Sequence, residues 1–94
     1  MGETNTRVTR ELTVVNKLGI HARPASLFVR LASQFDCQVL VEKDGESVNG
    51  KSIMNLMMLA AGPGSRIRIS AEGADAAQAV DQIETLVNSK FNED

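Results

Sequence analysis

The stretch CQVLVEKDGESVN, residues 37–49, decides the fold. Cys37, Val39 and Val41 recur at every second position, the period of a half-buried β-strand. The Asp44-Gly45 pair then supplies residues that tolerate positive φ, as a tight hairpin turn requires. A short return strand is predicted over Ser47 to Asn49. The stretch therefore predicts an antiparallel hairpin with one face towards a core and the other towards solvent.

Two further strands and three helices are predicted on either side of this hairpin. The alternating strands run from about Thr9 to Val15 and from Arg66 to Ala71, and the helices from about Ala22 to Phe35, from Ser52 to the Gly62-Pro63-Gly64 break, and from about Asp75. Ser52 and Asp75 are the expected N-caps. The order is βαββαβα, and every strand alternates. We therefore predict an α+β fold: an open-faced two-layer sandwich with a four-stranded antiparallel sheet and three helices on one face.

Composition limits the classes of function. Ninety-four residues, 43% of them hydrophobic, predict a single domain over residues 1–94, with residues 1–8 as a flexible tail. A net charge of -2 and 3% aromatic residues argue against a nucleic-acid partner. An RNA-recognition sheet shares the βαββαβ order, but no predicted strand carries an aromatic residue for base stacking. The lone Cys37 and the absence of an apolar N-terminal run predict a cytoplasmic protein without membrane insertion. We also expect a monomer.

A nucleotide-binding motif occurs within this sequence and is rejected. The stretch GESVNGKS, residues 45–52, satisfies the P-loop pattern at every specified position. Its inner positions coincide with the predicted return strand, and no later apolar strand ends in an acidic residue that could position magnesium. We therefore interpret it as a hairpin turn that leads into a helix start.

The candidate site lies at the start of the first helix. The stretch KLGIHARPA, residues 17–25, places His21, Arg23 and Pro24 where a glycine-containing loop meets that helix. A helix N-terminus presents unpaired amides, here those of Ala22 and Arg23, and partial positive charge to an anion. Arg23 adds a planar set of donors that suits phosphate oxygens. Histidine is largely neutral at cytosolic pH and can accept a phosphoryl group covalently. These residues predict a phosphate cradle that includes its own nucleophile.

Two alternatives to this interpretation remain open on local grounds. His21 can simply cap the helix while Arg23 is a solvated charge, because no general base or carboxylate partner is evident. The residue before proline also avoids the helical region, so the helix can begin at Pro24 and leave His21 in the loop.

The motif LGIHARPA, residues 18–25, followed by NGKSIM, residues 49–54, resembles the HPr phosphocarriers of the bacterial phosphoenolpyruvate-dependent phosphotransferase system. The resemblance extends from about Thr9 to Phe91. It implies that enzyme I phosphorylates His21 on its δ nitrogen, that Arg23 stabilises the phosphoryl group, and that an enzyme IIA domain then receives it. The chain would be a relay intermediate and not a stand-alone catalyst. It would need no metal and no cofactor, since the phosphoryl group derives from phosphoenolpyruvate through enzyme I.

The resemblance also implies a regulatory and a docking role for the second helix. Ser52 would be phosphorylated by an HPr kinase/phosphorylase in lineages that possess one, which gives an alternative function as a regulatory interaction module. The predicted partner-binding residues are Ile20, Ser26, Arg30, Ile53, Met54 and Met57, whereas Met58 is predicted to be buried. The family has a sugar-transport and a nitrogen-related branch. The C-terminal segment looks like the nitrogen branch and residues 50–60 like the sugar branch, so both remain open.

Overall fold

The computed structural model describes residues 6–92 and confirms the predicted element order within them. The elements are β1 Arg7–Thr13, α1 Ala22–Ala32, β2 Gln38–Lys43, β3 Glu46–Asn49, α2 Ile53–Met58, β4 Arg66–Glu72 and α3 Ala76–Asn88, followed by a 3-10 turn over Lys90–Asn92. The predicted hairpin is confirmed, because β2 and β3 pair in antiparallel register and the turn between them holds Asp44 at φ 53 and Gly45 at φ 85.

The four strands form one sheet in the order β1-β4-β2-β3, with antiparallel neighbours throughout. The two central strands, β2 and β4, contribute fully buried side chains to the core under the helices, among them Val39, Val41, Ile67 and Ile69, and the helices contribute Phe28, Leu56 and Ile83. The opposite face carries charged side chains, and there Arg68 pairs with Glu11 at 3.1 Å and with Glu42 at 3.8 Å. The α+β open-faced sandwich is therefore confirmed.

The first strand begins two residues earlier than predicted. Arg7 pairs with Glu72 and Val8 with Ala71, so both residues belong to the sheet and not to the predicted tail. Arg10 on the inner side of β1 forms ion pairs with Asp81 and Glu84 of α3, which fastens this edge strand to the helical layer. The rest of the predicted tail, apart from the exposed Thr6, lies outside the described residues.

Helices α1 and α2 both end earlier than predicted. After Ala32 the chain continues in tighter turns, with the amides of Gln34 and Phe35 donating to carbonyls only three residues back, so Phe35 stays buried without being helical. Helix α2 ends at Met58 because Ala60 adopts a left-handed conformation with φ 55. Glycine usually occupies that position, so the sequence contains no stop signal there.

Asp75 occupies the N-cap position of α3, as predicted, but its side chain does not cap the helix. Helix α3 begins at Ala76 with no side-chain cap bond from Asp75. The carboxylate instead accepts hydrogen bonds from the amides of Asp36, at 2.8 Å, and Cys37, at 3.0 Å. The Asp36 amide above all holds the pKa of Asp75 below its ordinary value. Asp75 therefore joins α3 to the turn between α1 and β2.

Candidate functional site

The loop before His21 is held in place by hydrogen bonds to its own backbone and to the α2–β4 connection. The buried Asn16 side chain donates to the carbonyl of Gly19 at 2.7 Å, and the amide of Ile20 donates to the carbonyl of Ala61 at 2.9 Å. Gly19 has φ +72, and a Cβ there would lie 2.5 Å from the Ala61 oxygen. Glycine is therefore required, and the close approach fixes the backbone that leads into α1.

His21 stands at the N-cap of α1, in agreement with the predicted helix start at about Ala22. Its backbone is extended, with φ -101 and ψ -163, and its carbonyl accepts the first helical bond from the amide of Ala25 at 2.9 Å. Its side chain is half-buried and makes no capping bond, so the simple-cap alternative lacks the hydrogen bond that would define it. The helix begins at Ala22, and the alternative start at Pro24 is wrong.

The first turn of α1 leaves donors available beside His21. Pro24 is buried in this turn, where a missing N–H costs no helical bond. The amides of Ala22 and Arg23 precede it and have no acceptor within the helix. Both residues are exposed, so the Arg23 guanidinium can reach an anion held at this end of the helix.

An open depression of about 730 Å³ lies beside this turn and is lined by positively charged side chains. Its lining residues are Val15, Asn16, Lys17, Leu18, Arg23, Lys90 and Asn92, with no acidic side chain among those described. Lys90 and Asn92 reach it from the C-terminal turn, where three consecutive residues have φ between 54 and 60 and the middle one, Phe91, is fully buried. Lys17 lies within the predicted site stretch, but no role was predicted for it. Lys90 was not predicted at all, because no local pattern shows that the C-terminal turn returns to α1.

Ser52 is confirmed as the N-cap of α2. Its hydroxyl accepts a hydrogen bond from the amide of Asn55 at 3.2 Å. The residues that mimic a P-loop around it have structural roles: a Cβ on Gly50 would lie 2.7 Å from the Val39 side chain, and the Lys51 ammonium donates to the carbonyl of Phe35 at 2.7 Å. The rejection of nucleotide binding therefore agrees with the packing of this segment.

The predicted partner-binding residues divide by exposure. Arg30, Ile53, Met54 and Met57 are exposed and Ser26 is half-buried, so all five can be reached by a partner. Ile20 is only 6% exposed and belongs to the core, which contradicts its assignment to a docking surface.

The burial predicted for Met58 is also wrong, since its side chain is 68% exposed. Helix α2 has only six residues and is anchored through the fully buried Leu56. Two residues correspond to about 200° around a helix, so Met58 faces away from that anchor.

The described residues 6–92 contain no helix that is both long and apolar enough to cross a bilayer. Within the same part of the chain, no three or more His, Cys, Asp or Glu side chains are grouped so as to hold a metal ion.

Comparison with known proteins identifies the family. The family model described as "PTS HPr component phosphorylation site" matches residues 8–89. The phosphocarrier protein HPr of Pseudomonas aeruginosa is 46% identical over 84 residues, which cover 88% of this chain and 93% of that protein. A crystal structure of HPr from Thermoanaerobacter tengcongensis is 46% identical, covers 95% of this chain and 98% of its own, and superposes with a TM-score of 0.87. A second structure from that organism, described as an HPr dimer, is 48% identical, covers 87% of this chain and 94% of its own, and has a TM-score of 0.75.

The family-model match runs from β1 to the end of α3 and includes the His21 loop and both helix starts of the site. The resemblance drawn from the two sequence motifs is thereby confirmed. The chain belongs to the HPr family and has the role of a phosphocarrier in the phosphotransferase system.

Proposed function

We propose that this chain accepts a phosphoryl group from phospho-enzyme I on Nδ1 of His21 and donates it to an enzyme IIA domain. One observation carries the proposal: the only histidine of the chain stands at the N-cap of α1, next to the exposed Arg23. The histidine supplies the nucleophile, and the helix start supplies amides and partial positive charge for the transferred group.

The proposed transfer proceeds in two displacements. In the first, the Nδ1 lone pair attacks phosphorus, and the N–P bond forms as the bond to the donor's leaving atom breaks. The phosphoryl oxygens receive hydrogen bonds from the amides of Ala22 and Arg23 and from the Arg23 guanidinium. In the second displacement, a nucleophile of the acceptor attacks the same phosphorus and the N–P bond breaks. His21 returns to its starting state, so the chain acts as a relay intermediate, needs no cofactor of its own, and is not a stand-alone catalyst.

Docking is proposed to use two surfaces on either side of His21. The depression with Lys17, Arg23 and Lys90 concentrates positive charge on a chain whose net charge is -2, and this favours acidic partner surfaces. Ile53, Met54 and Met57 present exposed apolar area on α2, which packs against α1. Arg30 and Ser26 complete the docking surface along α1.

Regulation by phosphorylation of Ser52 is a second proposal. The Ser52 hydroxyl caps α2 beside the exposed apolar residues, so a phosphate there would add nearly two negative charges to the docking surface. An HPr kinase/phosphorylase would be the partner that adds and removes this group. This role accompanies the carrier function, because no observation favours the regulatory module over the carrier.

A reconstituted relay tests the carrier proposal. The chain is incubated with enzyme I and phosphoenolpyruvate, and intact mass is followed before and after an enzyme IIA domain is added. We expect one acid-labile phosphoryl group per chain, lost from the chain when the acceptor is added and never formed on His21→Ala. Arg23→Gln should lower kcat/KM about tenfold or more, whereas the matched control Arg66→Gln, on the open face of the sheet, should not. Formation of the adduct on His21→Ala would overturn the proposal.

The protein is proposed to be a monomer and to lie in the cytoplasm. A relative's structure is described as a dimer, so the oligomeric state has to be measured. Size-exclusion chromatography with light scattering gives the molar mass in solution over a range of protein concentrations. A single species of about 10 kDa agrees with the proposal.

A further inference from the structure

The solvent-facing side of α2 is rich in sulfur. Met54 is 71% exposed, Met57 44% and Met58 68%, and together with Ile53 they line a shallow depression of about 490 Å³. We refer to these four residues as the Met face. The helix itself is held by the buried Leu56 and Leu59, neither of which carries sulfur. Met54 and Met58 therefore lie largely outside the packing that stabilises α2, and Met57 is about half exposed.

The thiol of Cys37 is shielded from solvent, whereas the thioethers of the Met face are exposed. Cys37 is 2% exposed, in the turn before β2. Its burial raises the pKa of the thiol, and the neighbouring Asp75 carboxylate adds to the effect, so the reactive thiolate is scarce. Among the described residues, an oxidant in solution therefore meets the methionines of the Met face before it meets the thiol. Met1 lies outside these residues and enters the experiment below as an internal control.

We propose that the Met face is a reversible oxidation site, at which a hydroperoxide converts Met54, Met57 and Met58 to sulfoxides and thereby weakens the docking of enzyme I. The inference rests on the proposed function, in which enzyme I contacts this face. In each event a thioether lone pair attacks one peroxide oxygen, an S–O bond forms, and the O–O bond breaks. The sulfur is oxidised by two electrons and the peroxide is reduced, with water as the product of hydrogen peroxide.

The consequence for docking follows from the change in polarity. Methionine offers a flexible apolar side chain that adapts to a partner surface, whereas the sulfoxide carries a strongly polar oxygen. A partner that covers the Met face has to remove water from that oxygen, which is unfavourable unless it supplies a donor. The folded state bears no such cost, since the exposed thioethers keep their solvent contact. Oxidation should therefore weaken docking and leave the fold and the His21 site intact.

The inference is tested with hydrogen peroxide. After treatment, peptide mass mapping should show one added oxygen on each of Met54, Met57 and Met58 and none on Cys37. Phosphorylation by enzyme I and phosphoenolpyruvate should then show a KM about tenfold higher than that of the untreated chain, with kcat nearly unchanged. Methionine sulfoxide reductases should restore the original KM, and thermal unfolding should not change.

The matched control is the triple variant Met54→Leu/Met57→Leu/Met58→Leu, which keeps Met1 and Cys37. Each protein is compared with its own untreated sample, so the variant's basal KM does not enter the comparison. Peroxide should not alter the KM of the variant. If the triple variant does not fold, as judged by circular dichroism, the single variants Met54→Leu and Met58→Leu take its place, and each should reduce the peroxide effect.

Two results would overturn the inference: an oxidised wild-type chain whose KM is unchanged, or a triple variant that responds to peroxide as strongly as the wild type. The untreated chain separates this inference from the carrier proposal. If the untreated chain receives no phosphoryl group from enzyme I, the proposed function fails and this inference fails with it. If it is phosphorylated equally well before and after oxidation, only the inference is wrong.

Discussion

The side-chain amide of Asn16 donates to the carbonyl of Gly19 at 2.7 Å, two residues before His21. This bond closes a short loop, and Gly19 in that loop packs against the chain between α2 and β4. A Cβ on Gly19 would lie 2.5 Å from the Ala61 oxygen. His21 is thereby held on a backbone with little freedom to move. A rigid support is what a transient covalent site requires, because small displacements of reacting atoms cost large factors in rate.

Gly19→Ala tests how tightly this loop is held. Gly45→Ala is the matched control, because Gly45 also has positive φ, at +85, but no heavy atom lies within 4 Å of the position that its Cβ would take. The control should lose only the backbone cost of about 1–2 kcal/mol in the free energy of unfolding. Gly19→Ala should lose about 3–4 kcal/mol, because the clash with Ala61 adds to that cost. Urea unfolding measures both losses, and equal values would contradict the close approach.

The sheet is the most predictable part of this fold. Alternation places β2 and β4 to within one residue, because one side of each strand is buried and the other is more exposed, and the Asp44-Gly45 turn places β3 equally well. Helix ends are predicted less well. Helix α2 ends at Met58 because Ala60 adopts a left-handed backbone, and an alanine in the sequence does not indicate that conformation. The His21 site can be found from local residues because a helix start is a local feature. Lys90 is missed because its approach to Arg23 depends on how the C-terminal turn folds back.

Asp75 should make stability depend on pH. Its carboxylate accepts bonds from the amides of Asp36 and Cys37, and its pKa in the folded state lies below the ordinary aspartate value. The stabilisation is therefore fully present above the unfolded-state pKa, about 3.9, and is lost as the pH falls through the lower folded-state value. When the pH is lowered from neutral to about 3, the free energy of unfolding of Asp75→Asn should fall by less than that of the wild type.

The control for this titration is Asp44→Asn, at a hairpin position with φ 53 that asparagine tolerates. Its loss of stability on acidification should exceed that of Asp75→Asn, because the Asp75 carboxylate and its two amide hydrogen bonds remain. Chemical unfolding at a series of pH values measures all three proteins. A wild-type curve that runs parallel to that of Asp75→Asn would show that this carboxylate does not link α3 to the turn before β2.

Ser52 should have separable structural and electrostatic effects. Ser52→Ala removes the acceptor for the Asn55 amide and should lower the free energy of unfolding by about 1 kcal/mol. Ser52→Asp keeps a capping oxygen, so it should recover most of this stability while adding a negative charge beside the Met face. The aspartate variant should therefore show a raised KM with enzyme I, and the alanine variant a nearly normal one. A raised KM in both variants would assign the effect to α2 geometry and not to charge.

Lys90 should contribute to docking through its charge. It lines the depression that also holds Lys17 and Arg23, so Lys90→Gln should raise the KM for enzyme I about threefold at low ionic strength, with a smaller effect at high salt. Lys90→Arg should keep the wild-type KM, because arginine retains the positive charge. Lys43→Gln, beside the β2–β3 turn, carries the same charge change at a distance from α1 and is the control. The same salt-dependent change in Lys43→Gln would show that only net charge matters.

The position of the phosphoryl group on the His21 ring tests the central claim most directly. The ¹⁵N-labelled chain is phosphorylated in the spectrometer with enzyme I and phosphoenolpyruvate, and both imidazole nitrogens are followed. We predict one phosphoryl group per chain on Nδ1, with Nε2 unsubstituted and the helix-start amides of Ala22 and Arg23 shifted by new hydrogen bonds. Phosphorylation of Nε2, transfer of the group to Ser52, or an unchanged His21 spectrum would contradict the account.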